Sequence, residues 1–149
     1  MHTISDIVKQ RREELGLTES TLAEKCSITI EWYGDLEYDE SEFYEVLTLE
    51  KILLLANELK LDVIELYGFD KCRTQLNSNF ISSRMSDLNI TISGLSDKVN
   101  MVEEYIESAI KDSQMLLGWV MTPIIDLSKT LDVKAACIIE LIQSNFDTK

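Results

Sequence analysis

The chain has 149 residues, 27 acidic against 14 basic side chains and a formal net charge of −13, with one proline, five glycines, three cysteines and one histidine. That length suits one domain or two small ones, and a hydrophobic fraction of 45% excludes a disordered polyanion. So little glycine and proline excludes sheets joined by many tight turns and predicts an all-α fold with short connections.

Apolar spacing places the helices in chain order. A first helix carries Ile4, Ile7 and Val8 and runs through KQRREEL to a stop at Gly16. Thr18 reads as an N-cap, with Thr21 three positions on, for a short helix bearing Leu22, Ala23 and Cys26. A third helix is expected from Thr29 to Tyr38, with Ile28, Tyr33 and Leu36 facing inward. After the acidic stretch DESEFYEV, Thr48 caps a fourth helix whose apolar face is Leu49, Ile52, Leu53, Leu55, Ala56 and Leu59. Leu61-Asp62-Val63 then turns into a short fifth helix, IELY. The most apolar run, Met115 to Ile125, is broken by Gly118, Thr122 and Pro123; it falls short of the roughly 18 to 20 residues that cross a bilayer. No membrane partner is expected, and the first residues lack the order of a signal peptide.

LGLTESTLAEKCSITIEWYGDLE at 15–37 and LLANELKLDVIEL at 54–66 together resemble the helix-turn-helix domains of XRE type, the Cro and phage-repressor family. The resemblance covers roughly residues 4–67, although the connection from Glu37 to Leu49 is about four residues longer than is usual there. It implies a five-helix DNA-binding fold in which the second helix of the motif enters the major groove. A shift of 73 lays 88–110 over 15–37, matching Leu88, Thr91, Ser93, Leu95 and Lys98 to Leu15, Thr18, Ser20, Leu22 and Lys25. A shift of 72 lays 124–138 over 52–66, with Pro123 where a first-turn proline is tolerated. Two tandem copies of one five-helix helix-turn-helix-like unit are therefore expected, at 1–70 and 80–149, with a linker at 71–79.

The helix that would read bases carries Glu31, Trp32, Asp35 and Glu37 in the first copy and Glu103, Glu104, Tyr105 and Glu107 in the second. Where the family commonly has a phosphate-contacting glutamine, this chain has Glu19 and Ile92. From Cys26 to Glu50 there are eight acidic residues and no basic one, a surface that repels phosphate. Residues 1–70 hold seventeen acidic and six basic side chains, against ten and eight in 71–149. Aromatics interleave with the carboxylates, as at interface hot spots with a polar rim. The expectation is a non-enzymatic protein that binds a basic protein partner, in the manner of an immunity protein or antitoxin. The expected partner-binding residues are Glu31, Trp32, Asp35, Glu37, Tyr38, Asp39, Glu40, Glu42, Tyr44 and Tyr105. The main alternative is an XRE-type transcriptional regulator holding phosphates through Arg11, Arg12, Lys25, Arg84 and Lys98. A DNA-mimic anti-repressor is a third reading.

Catalysis finds no constellation, because His2 is the only histidine. Asp35, Glu37 and Asp39 have the spacing of a calcium loop, but Glu40 and Val46 stand where glycine and glutamate are needed. Neither a metal site nor a cofactor is expected. Cys26, Cys72 and Cys137, odd in number and far apart, imply no disulfide framework and a reduced, cytoplasmic setting with inert buried thiols.

Overall fold

The computed structural model describes residues 2–146; the outermost ends of the two expected copies, residue 1 and residues 147–149, lie outside them. The described residues form eleven α-helices and one 3-10 helix, with no β-strand, so the fold is all-α. The chain separates into two compact units, Met1–Gly68 and Phe69–Lys149.

The first unit contains α1 (Ile4–Glu14), α2 (Glu19–Lys25), α3 (Ile30–Leu36), α4 (Glu42–Glu45), α5 (Leu49–Leu59) and α6 (Val63–Tyr67). A threonine starts each of four helices. The side chains of Thr3, Thr18, Thr29 and Thr48 accept from the backbone N–H of Asp6, Thr21, Trp32 and Lys51, satisfying amides that the helix leaves open. At α1 the cap is reciprocal, because Thr3 N also donates to Asp6 Oδ2 at 3.2 Å. Val8, Leu22, Tyr33, Leu36, Phe43, Leu49, Ile52 and Leu59 are fully enclosed. Burying each such aliphatic or aromatic side chain stabilises the unit by about 1.5–3 kcal/mol.

The second unit contains α7 (Phe80–Leu88), α8 (Ile92–Val99), α9 (Glu103–Lys111), the 3-10 helix Ser113–Gly118, α10 (Met121–Thr130) and α11 (Ala135–Phe146). Its local geometry repeats that of the first at the two offsets. Arg11 Nε donates to Leu59 O at 2.9 Å, and Arg84 Nε donates to Leu131 O at 3.0 Å. Leu17 N to Arg12 O and Ile90 N to Met85 O close α1 and α7; Ile28 N to Ala23 O and Met101 N to Ser96 O close α2 and α8. Leu61 N to Ala56 O and Val133 N to Ser128 O do the same for α5 and α10. Each bond is the six-to-one contact that ends a helix through one left-handed residue. That residue is Gly16 or Asn89, Ser27 or Asn100, Lys60 or Asp132.

Three sequence expectations change. α3 stops at Leu36 rather than Tyr38. The long connection after it folds into the single turn α4, because Phe43 is buried and Tyr67 Oη donates to Phe43 O at 2.7 Å. Cys72 and Cys137 are joined by a disulfide, with Cα atoms 4.9 Å apart, which corrects the expectation of three separate thiols. Distance along the sequence misled there, since 65 residues of folded chain return α11 to the start of the unit. Cys26 alone remains free; burial pushes its thiol up to about 11 and makes it a poor nucleophile.

Candidate functional site

Helix α3 turns Tyr33 and Leu36 into the core, which leaves Glu31 and Asp35, one turn apart, on its solvent side. Tyr38 N and Asp39 N both donate to Asp35 O, at 3.1 and 2.9 Å, so the chain leaves the helix in a tight turn that projects both side chains. Tyr38 is 90% exposed, the most open large hydrophobic of the unit. Asp39 Oδ1 accepts from Ser41 N at 3.0 Å and from Ser41 Oγ at 2.6 Å, which hold its carboxyl below the usual carboxylate range. Glu42 is pushed the other way, by partial burial first and then by the charges of Asp35 and Asp39. Four expected carboxylates thus share this stretch with the protruding Tyr38: Glu31 and Asp35 on the outer side of α3, Asp39 in the turn and the half-buried Glu42 after it. Ile30 and Val46, which sequence reasoning missed, add exposed apolar surface in the same stretch. No apolar periodicity marks either residue as outward-facing.

Among the other expected contact residues, Glu37, Glu40 and Tyr44 have partners inside the first unit. The Glu37 side chain is only 4% exposed and accepts from Arg12 Nε at 2.7 Å and Arg12 Nη2 at 3.1 Å. Burial is the largest single influence and would raise its carboxyl, but the Arg12 hydrogen bonds, the Tyr33 phenol and the charges of Arg12 and Lys9 together outweigh it and hold the carboxyl below the ordinary range. Burial, and then the neighbouring carboxylate, pushes the enclosed Tyr33 phenol well up. Glu40 Oε1 accepts from Ile4 N at 2.8 Å, placing its charge at the start of α1. Tyr44 packs edge-on against Tyr67, with ring centres 5.4 Å apart. Trp32 is half-buried, and its indole nitrogen is shielded from solvent without a hydrogen-bond partner. Tyr105 belongs to the second unit, where it stands 58% exposed on α9 beside Glu104.

The residues named for phosphate binding are also largely committed. Arg12, 13% exposed, spends its guanidinium on Glu37 and on Leu17 O at 3.0 Å. Arg11 and Arg84 each donate to a helix-end carbonyl and reach Glu14 at 3.7 Å and Asp87 at 3.2 Å. Lys25 is exposed and lies 3.4 Å from Glu58; Lys98 is exposed. Within α3 there is no basic residue, and α9 reaches one only at its last position, Lys111. Among the described residues no group of three His, Cys, Asp or Glu side chains is arranged to hold a metal ion, and no helix is long and apolar enough to cross a membrane. Comparison with protein-family models, curated proteins and solved structures gives no match.

Proposed function

We propose that this protein is a non-enzymatic binder that engages a basic protein partner through the outer side of α3 and the turn that follows it. In this reading α2 and α3 are a helix-turn-helix of XRE type, present in two copies, whose DNA-reading role has been lost. The observation that carries it is the arrangement of charge: Glu31 and Asp35 on the outer side of α3, and Asp39 and Glu42 in the stretch after it, accompany the protruding Tyr38, while Arg12 is paired with Glu37. Complementary charge speeds the encounter, and an exposed aromatic supplies the anchor. Neutralising a basic toxin, as an immunity protein or antitoxin does, is the role that suits such a surface, and the cytoplasm is the compartment proposed for it.

The test is co-purification with the product of the adjacent gene, followed by titration with salt. A complex that weakens as salt screens the charges, and that is lost in Asp35→Lys/Asp39→Lys and weakened in Tyr38→Ala, supports the proposal. Undiminished binding by both variants refutes it. Nanomolar, sequence-dependent DNA binding at physiological salt, lost on changing Lys25 and Lys98, establishes the regulator reading instead. A captured partner that DNA displaces identifies the anti-repressor.

A further inference from the structure

From Asp70 to Asn79 the chain forms no helix, and Lys71, Arg73, Thr74, Gln75 and Asn77 face solvent. This stretch is fastened to the start of α11 by the Cys72–Cys137 bond and by Lys134 Nζ, which donates to Lys71 O at 3.3 Å. The two sulfurs are not equivalent. Both line an open cleft of about 380 Å³ with Arg73, Gln75, Glu140 and Ser144, but Cys137 is buried there whereas Cys72 is half-exposed. A second cleft, of about 440 Å³, reaches Cys137 and is lined by Arg73, Arg84 and Lys134, with Asp132 as its one carboxylate.

We propose that the Cys72–Cys137 bridge is a thiol-exchange site open to small-molecule thiols. The thiolate of such a compound enters the first cleft and attacks Cys72 Sγ. A new sulfur–sulfur bond forms to Cys72 as the Cys72–Cys137 bond breaks. Its electron pair leaves on Cys137 Sγ, which takes a proton from solvent to become a thiol. A second thiol molecule attacks the adduct and departs as the small-molecule disulfide, leaving Cys72 reduced, so two thiols are oxidised for one bridge reduced. Access selects Cys72 as the sulfur attacked, and the quality of the leaving group favours the same direction. The departing thiolate lies in the first turn of α11 and beside the cleft bearing Arg84 and Lys134, where negative charge is favoured. Exchange would release residues 70–79 while the helices of the unit keep their packing.

The experiment uses the full chain and reduced glutathione as the probe, with acid quenching and peptide mapping by mass. The expected result is a glutathione adduct on Cys72 with Cys137 free, and trypsin cleavage after Lys71 and Arg73 faster by about tenfold or more as local order is lost, at unchanged helix content. Cys72→Ser should cleave at the fast rate without glutathione and show no adduct; because Cys72 is half-exposed, that variant is the milder of the two cysteine changes. Recovery of both cysteines as free thiols from air-equilibrated folded protein overturns the proposal. So does an adduct confined to Cys137, or a bridge that opens only when the whole chain unfolds.

Discussion

The two units solve the same packing problem with opposite chemistry. Where the first buries Tyr33 against Arg12 and Glu37, the second has Ile106, Met85 and Ile110 at the positions 73 residues on. An ion pair removed from water recovers its desolvation cost only when its geometry is good, and apolar residues of similar size often serve as well or better. The scaffold therefore does not require the pair, and the first unit carries a vulnerability that the second lacks. Arg84 makes in the second unit the contact to a helix-end carbonyl that Arg11 makes in the first, so that contact does not depend on the pair.

The contrast can be broken most severely by removing one member of the pair. Glu37→Ala leaves the largely covered Arg12 guanidinium with only Leu17 O and the more distant Glu19 and should cost about 3 kcal/mol, the lower end for breaking a buried pair, read as faster hydrogen exchange in α1 and α3 with α7 and α9 unchanged. Converting the first unit toward the second, by Arg12→Met with Glu37→Ile, should be neutral or stabilising by about 1–4 kcal/mol in denaturant unfolding. A loss as large as that of the single change would show that the pair is needed for the fold.

Acid probes the same contrast more gently, because protonation leaves a neutral carboxyl in place. Glu37 titrates below its ordinary value of 4.5, so its contribution is complete above that pH and is lost as pH falls through the lowered value. Amides of α1 and α3 should lose protection in that window before those of α7 and α9. In Arg12→Met/Glu37→Ile this early loss should vanish. Glu42, raised by burial and by Asp35 and Asp39, works in the opposite sense and gains stability on protonation. A smaller effect tests what the units share. Arg11→Ala and Arg84→Ala should each destabilise their own unit by about 1.5 kcal/mol, the lower end for a charged hydrogen bond at a partly exposed site. Unequal losses in thermal melts would mean that the two arginines do different work.

Much of the scaffold was legible because its signals are local. Thr18 and Thr48 cap the helices they were expected to cap, and the apolar face assigned to the helix after Thr48 is the buried face of α5. The acidic face was legible only in part, because charge in a sequence does not say which carboxylates find a partner. Glu37 and Arg12 lie 25 residues apart and each reads as surface. A signal was nevertheless present. Arg12 follows the buried Val8 by four residues, Glu37 follows the buried Tyr33 by four, and the repeat aligns them with Met85 and Ile110. The bond between Cys72 and Cys137 had no local signal, since their approach depends on the whole second unit.

Five helix ends and turns close through left-handed residues other than glycine: Ser27, Lys60, Asn89, Asn100 and Asp132. A side chain in that conformation costs roughly 1–2 kcal/mol, less for asparagine and aspartate. Lys60→Gly should therefore raise the melting temperature of the first unit, by the equivalent of about 1 kcal/mol, without moving any buried atom. The chain holds a reserve of stability in its turns, separate from its core and from its acidic face. Such a reserve would let that face accept costly substitutions while the scaffold beneath stays folded.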